Sequence, residues 1–380
     1  MSKIATISLA ADADIPWLQT LLPSNIKLTS LNPTQITAQN VKYFDALLVR
    51  SVTSVNAELL QGSQIRFVGS PTSGINHLDT HWLSSNNIYW THAPGCNALA
   101  VAEYVISCIC YFKNAGYFNQ TPCRAGIIGM GHVGTQVHHH LTQLGFQILC
   151  HDPWKAQNNL GFNSVSLDDF YDLDLICLHP ELTTRQPYPS LHLIDEKFLS
   201  RQKPETILLN ASRGEIIKPY ALNNYGQHLI WCFDVWPNEP NIDLALVQQA
   251  AIATPHIAGY SLASKQRGVI KIVQDLLKFF SENATINKSI INNISAYSAF
   301  TPIHTTSNWF EIILELYNPH IDTDSFKHQL KQSEHIAQTF HEIRAHYSLR
   351  TEFSTTNLSI PHLPYEQQII LKKLGFNIPT

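Results

Sequence analysis

At 380 residues, with 44% hydrophobic and 14% charged side chains, the chain is too long for one ordinary domain and too apolar to stay disordered. A formal charge of -4 and an isoelectric point near 6.5 exclude the basic excess that neutralises a nucleic-acid backbone or an anionic membrane, so an anionic small molecule would have to be met by a few local cations. Seven scattered cysteines, without CxxC pairs or zinc-type Cys/His spacing, suggest neither a disulfide framework nor a metal site and fit reduced thiols in the cytoplasm.

The opening MSKIATISLAADADIPW lacks a long apolar core and meets Asp12 and Asp14, so no secretory signal is expected. IATISLA, DALLVR and IRFVGSP follow as short apolar runs between polar or helical stretches, the rhythm of a parallel sheet with crossover helices. ALAVAEYVISCICYFKNAGYF is interrupted by Glu103 and short for a bilayer, which predicts a long buried helix. A second series opens near Arg124 with RAGIIG, GFQILCHD, LDLICLH, ETILLNAS and LIWCFDVW. SKQRGVIKIVQDLLKFF then sets Val269, Ile272, Val273, Leu276 and Phe280 on one helical face, and this helix is expected to pack back onto the first series. The expected architecture is α/β: a Rossmann-type parallel-sheet cofactor domain (99–257) inserted in a flavodoxin-like substrate domain (1–98 and 258–287). From 288 to 380 the pattern weakens around Pro302, Pro319, Pro361 and Pro364, and a third, small α+β domain is expected. Asn-x-Ser/Thr triplets at Asn283, Asn287 and Asn293 are read as chance.

The strongest local signal is GIIGMGHVGTQVHHHLTQLGFQILCHDP. Gly129, Gly131 and Gly134 form G-x-G-x-x-G at a strand-to-helix junction, where a missing Cβ permits a tight turn, approach of a pyrophosphate and close helix packing. The helix start at His132 and Val133 offers free N-H groups to that anion. Asp152, at the end of the next strand, sits where an acid accepts hydrogen bonds from an adenosine ribose and repels a 2′-phosphate, which favours NAD; Lys155 leaves NADP open. His138, His139 and His140 point in different directions on one helix and cannot share a metal.

Three later segments each follow a predicted strand: NASRGEIIK with Arg213, DVWPNEP with Asp234 and Glu239, and TPHIAGYS with His256. Oxidation of a hydroxy acid needs a base for the hydroxyl proton, a carboxylate to fix that base's tautomer, and a guanidinium for the substrate carboxylate. Singly, each residue is more ordinary as a loop residue. Their order after a dinucleotide fingerprint is what joins them.

These segments resemble the D-2-hydroxyacid dehydrogenase family, whose members carry N-x-x-R-G, D-V-x-x-x-E-P and H-x-x-G in this order. The resemblance implies that Arg213 holds and polarises substrate, Glu239 partners the histidine, and His256 donates or accepts the proton. It places Asp234 at the nicotinamide carboxamide and Gly259 against the cofactor. LLVRSVTSVN, FVGSPTSGINHLD, APGCNALAVAEYV and TPHIAGYSLASKQRG are similar to a branch of that family that oxidises a four-carbon phosphorylated sugar acid with NAD in pyridoxal 5′-phosphate synthesis. FHEIRAHYSLRTEF and LKKLGFN resemble that branch's C-terminal dimerisation domain, which implies a homodimer. The same resemblance puts Ser51, Thr72 and Tyr260 on the substrate, and hydroxyls with the N-H groups near Ser73 and Gly74 suit its oxygens. Arg50, Lys265, Arg267 and Arg344 are the candidate cations for a phosphate. The chain departs from the family at Pro180, where a cofactor contact is not carried over, and at Ala263, where an acid is commoner. Another 2-hydroxy acid such as 3-phosphoglycerate, and a non-catalytic NADH-sensing protein, stay open.

Overall fold

Aliphatic runs of four to six residues can be buried on both faces only if helices cover the sheet they form, and that is how this chain uses them. The computed structural model describes residues 6–280, 299–302 and 308–378; the triplets at Asn283, Asn287 and Asn293 and the boundary expected near 288 lie outside the described residues. Two compact units result, one with the described residues of 1–97 and 262–297, the other with those of 98–261 and 298–380.

The first unit is a parallel sheet of β1 (Ile7–Asp12), β2 (Ile26–Leu31), β3 (Ala46–Leu48), β4 (Phe67–Ser70) and β5 (Tyr89–His92), in the order β2-β1-β3-β4-β5. One face packs Leu9, Leu48 and Phe67 against Val269, Ile272, Val273 and Leu276 of the helix Leu262–Phe280, the face that the sequence sets out. The other face packs Ala10, Leu47 and Val68 against Leu59, Leu60 and Leu83. A Cβ on Gly268 would lie 2.3 Å from the carbonyl oxygen of Pro71, so this glycine lets the helix rest on the loop after β4.

The second unit is built on β6 (Arg124–Ile128), β7 (Gln147–His151), β8 (Leu175–Leu178), β9 (Ile207–Asn210), β10 (Ile230–Phe233) and β11 (Ile252–Ala253), all parallel, in the order β7-β6-β8-β9-β10-β11. Beyond β7, Val165 donates its N-H to Cys150 O at 2.9 Å, so residues 164–165 occupy the place of the outer strand of a doubly wound nucleotide sheet without forming one. Successive strands are added to one side of β6 (β7) and then to the other (β8 onward), so the strand order reverses between β6 and β8, and the crevice for a ligand opens at the carboxyl ends of those strands. The helix Ala98–Asn114 is buried along nearly its whole length against this sheet. Among the described residues no helix is long and apolar enough to cross a membrane.

Residues from 299 on, expected as a small domain of their own, share this second compact unit. They supply a two-stranded parallel sheet, β12 (Ala299–Pro302) with β13 (Thr356–Ser359), and the helices Trp309–Leu316, Pro319–Gln332, Ile336–Ala345 and Tyr365–Lys373. Helix Pro319–Gln332 covers the open edge at β11: Thr323 Oγ1 accepts the Ala253 N-H at 3.0 Å, and Lys327 Nζ donates to Ala250 O at 2.6 Å. Phe326, buried from the same helix, packs on Trp236 with ring centroids 6.2 Å apart. Phe326→Ala is expected to cost about 3 kcal/mol or more in urea unfolding, because the aromatic volume is enclosed; a loss under about 1 kcal/mol would show that the tail helix is not part of this core.

Candidate active site

The carboxyl ends of the strands in the second unit gather its chemistry-bearing residues: Gly129 after β6, Asp152 after β7, Arg213 after β9, Asp234 after β10 and His256 after β11. Gly129 has φ 88°, and a Cβ there would come within 2.5 Å of His179 and Pro180 backbone, so the first turn of the glycine loop lies on the residues after β8. A Cβ on Gly134 would stand 1.9 Å from Gly129 O, which closes the helix His132–Gln143 onto the loop. Gly131 differs: its φ is -74° and, its neighbours along the chain aside, nothing among the described residues lies within 4 Å of a Cβ there. The protein itself does not need glycine at 131, but a ligand lying on the helix start would, so the residues present fit a dinucleotide pyrophosphate.

Asp152 ties this loop down. Its Oδ2 accepts the Met130 N-H and its Oδ1 the Lys155 N-H, each at 2.8 Å, while Lys155 Nζ donates to Met130 O at 2.8 Å. Each carboxylate oxygen keeps a second lone pair, which is what a ribose hydroxyl would use. His140 is buried, His138 partly buried and His139 exposed; burial pushes His140 down to about 4.

Pro180, which departs from the family pattern, is the residue against which Gly129 packs. Next to it His179 is buried, neither ring nitrogen has a partner among the described residues, and burial pushes its imidazole down to about 3, so it is neutral at physiological pH.

His256 Nδ1 and Glu239 Oε2 are 2.7 Å apart. The other Glu239 oxygen accepts the Trp236 N-H at 2.8 Å, and the Trp236 indole donates to Thr254 O at 2.9 Å, so one residue ties the acid's loop to the histidine's. Burial works to raise the Glu239 carboxyl, but the His256 charge and hydrogen bond, the Trp236 N-H and the Arg344 guanidinium outweigh it and hold the group below its ordinary value.

His256 has φ 59°, a left-handed conformation that costs an L-residue about 1 kcal/mol. The loop is held in it from Asp234, whose backbone oxygen accepts the His256 N-H at 2.7 Å. The Asp234 carboxylate accepts Ile257 N-H at 2.8 Å, Ala258 N-H at 2.9 Å and the Thr254 hydroxyl at 2.7 Å. A turn follows in which Tyr260 N donates to Ile257 O at 2.8 Å across Gly259.

Arg213 reaches the same group of loops through its neighbour. A Cβ on Gly214 would fall 2.0 Å from the carbonyl carbon of Trp236 and 2.2 Å from Pro237 N, so the Arg-Gly turn lies directly on the chain that leads to Glu239. Glu215 Oε1 accepts the Asn238 N-H at 3.3 Å and Asn210 Nδ2 donates to Arg213 O at 2.9 Å, which fix the turn at both ends.

Arg344, from the tail, lies 5.8 Å over the Tyr260 ring, and its Nε is buried with no hydrogen-bond partner among the described residues.

Ser51 and Thr72 belong to the first unit, after β3 and β4. Thr72 Oγ1 bonds Ser70 Oγ at 2.8 Å and donates to Gly74 O at 2.8 Å; Ser70 Oγ is also 2.9 Å from His77 Nε2. Burial, with the charge of His92, pushes His77 down to about 4, so this support of the Thr72–Gly74 loop is neutral. Of the candidate phosphate cations in this unit, Arg50 is paired with Asp12 and Asp14, Arg267 Nε donates to Cys96 O at 2.8 Å, and burial, then Arg50's charge, lowers Lys265.

Sequence reasoning gave no role to Thr254, Trp236, Gly268 and Arg350, although the quoted segments contain them, because the partners of each lie far away along the chain.

A parallel nucleotide sheet with this glycine cradle and this Arg, Glu and His order defines the D-2-hydroxyacid dehydrogenase class, and a family model described as D-isomer specific 2-hydroxyacid dehydrogenase, NAD binding domain, matches residues 115–258. An erythronate-4-phosphate dehydrogenase of Coxiella burnetii is 38% identical over 93% of this chain and 95% of its own, and one of Legionella pneumophila is 36% identical over 92% and 96%. The chain belongs to the erythronate-4-phosphate dehydrogenase family. Its fold is also that of the NAD+-bound 3-phosphoglycerate dehydrogenase of Entamoeba histolytica, with a TM-score of 0.59, 19% identity and coverage of 74% of this chain and 97% of that one.

Gly131→Ala is expected to keep the wild-type melting temperature yet weaken NADH binding by about tenfold or more in a fluorescence titration; unchanged affinity would mean that no ligand approaches this position. Since Glu239's carboxyl is lower in the folded chain than its ordinary 4.5, the stability it contributes is complete above that value and is lost as pH falls through the depressed one. The stability gap between wild type and Glu239→Gln in urea should therefore be full at neutral pH and shrink on acidification; a gap that widened in acid would contradict the pairing.

Proposed function

We propose that this chain oxidises 4-phospho-D-erythronate to (R)-3-hydroxy-2-oxo-4-phosphobutanoate with NAD, a step of pyridoxal 5′-phosphate synthesis. The observation that carries the reading is the 2.7 Å pair of His256 and Glu239 at the carboxyl edge of an NAD-binding sheet. Nicotinamide, when bound, supplies the hydride acceptor. Glu239 holds Nδ1 as the protonated nitrogen of His256 and leaves Nε2 free to take the C2 hydroxyl proton; its negative charge then stabilises the imidazolium that results. Arg213 binds the substrate carboxylate through its two-pronged guanidinium and draws electron density from the oxygen at C2.

Gly129, Gly131, His132, Val133 and Gly134 hold the pyrophosphate, and Asp152 the adenosine ribose. Asp234, beyond its bonds to the histidine loop, has a lone pair for the carboxamide, and Gly259 leaves room beside it. Ser51, Thr72 and Tyr260 bind the substrate's oxygens, and Arg344, stacked on Tyr260, supplies charge for its phosphate. The C-terminal residues form a homodimer, and the enzyme works in the cytoplasm.

NADH formation is expected with NAD and 4-phosphoerythronate, with much weaker turnover of 3-phosphoglycerate and of unphosphorylated erythronate. His256→Ala should lower kcat by about 100-fold or more while NADH still binds; turnover at the wild-type rate would reject the base. Arg344→Ala should raise KM about tenfold for the phosphorylated acid alone. An equal rise for erythronate would remove Arg344 from the phosphate site.

A further inference from the structure

Asp234 takes the N-H groups of Ile257 and Ala258, and the carbonyl groups of the same two residues are taken from the opposite side by a cation that the reaction scheme does not use. Arg350 Nη1 donates to Ile257 O at 3.1 Å, and its Nη2 donates to Ala258 O at 2.5 Å and to Ala100 O at 3.2 Å. Its backbone N-H donates to Tyr260 O at 3.3 Å, so the C-terminal chain runs alongside the end of the histidine loop. Tyr317 lies under the guanidinium, 4.4 Å from ring centroid to Cζ, and Tyr104 at 5.9 Å. Two residues further on, Glu352, fully buried, accepts the Ser261 hydroxyl at 2.6 Å.

Among the described residues no carboxylate pairs directly with this guanidinium; Asp234 answers its charge through the Ile257–Ala258 peptides, and Asp322 also acts on it. A fork of planar donors fits two successive carbonyl oxygens, which a single ammonium cannot do with the same geometry. Removing either charge leaves peptide groups unpaired and the other charge uncompensated, so the segment would lose its one conformation. The strained residue at the head of that segment is His256.

We propose that Arg350 is a positioning residue for the reaction: together with Asp234 it locks the Ile257–Ala258 peptides and so holds the His256 imidazole in line with its substrate. It makes the C-terminal segment part of the catalytic apparatus. The inference rests on His256 being the proton acceptor.

The test uses the full-length chain with Arg350→Ala and Arg350→Lys, measuring kcat, KM, NADH affinity and melting temperature. Arg350→Ala is expected to lower kcat by about 100-fold, the effect of misplacing a catalytic group by roughly 1 Å, with NADH affinity unchanged. Guanidinium ion at a low, non-denaturing concentration should restore part of the lost kcat, and ammonium should not; Arg350→Lys should fall between. A kcat near wild type in Arg350→Ala overturns the proposal. So does a joint fall of kcat, NADH affinity and melting temperature in both variants without rescue, which is the mark of a merely structural residue. Amide hydrogen exchange at Ile257 and Ala258 gives an activity-independent reading: it should quicken in Arg350→Ala, and unchanged protection overturns the clamp. A wild-type chain inactive on 4-phosphoerythronate would overturn the substrate reading alone, since the exchange measurement still decides the clamp.

Discussion

The structure of the second unit around His256 depends on one buried carboxylate, that of Asp234. It is 1% exposed and accepts three hydrogen bonds from the segment 254–258, which fixes that segment as tightly as a strand would without pairing it to a sheet. A buried anion is costly unless each lone pair is used and its charge is answered. Here the donors are two peptide N-H groups and a hydroxyl, and the answering charge stands beyond the two peptides. The energy of that arrangement holds His256 in a conformation which L-residues otherwise avoid.

Around this centre the chain makes its closest approaches backbone to backbone. Gly129 lies on His179–Pro180, Gly134 on Gly129, and Gly214 on Trp236–Pro237, each at a distance that no Cβ would permit. Loops built this way are rigid because their position is set by peptide planes and not by side chains that can change rotamer. Preorganised loops of this kind keep catalytic groups in place without a further entropic cost when substrate arrives. Trp236 extends the same logic, with its N-H on Glu239, its indole on Thr254 and its ring against Phe326 of the tail.

How much of this was legible in the sequence depended on where each residue stands. Strands β1, β3, β4, β6 and β8 to β10 appear as apolar runs because they are almost wholly buried, and β7, an edge strand only partly buried, shows through its aliphatic Ile148 and Leu149. β2 and β5 escaped notice: they form the two edges of the first sheet, and IKLTSL and YWTH mix exposed positions with buried ones. β11 is two residues long and has no pattern to show. Arg213, Glu239 and His256 were legible as linear motifs, since each follows its strand directly. Arg350 was not, because its partners are carbonyl oxygens more than ninety positions away and a carbonyl leaves no trace in a sequence. The contact of the tail with the second unit leaves little trace in the sequence, because helix Pro319–Gln332 buries only Pro319, Thr323, Phe326 and Leu330.

Asp152 carries one last consequence. The carboxylate proposed to bind the ribose also caps the N-H groups of Met130 and Lys155, so on that proposal recognition of the nucleotide and the shape of the loop that receives it would reside in one side chain. Evolution toward a phosphorylated dinucleotide could not proceed here by a single exchange of acid for a neutral residue. The exchange would remove a repulsive charge and unfasten the cradle at the same moment, so a compensating acceptor for the Met130 and Lys155 N-H groups would have to arise with it.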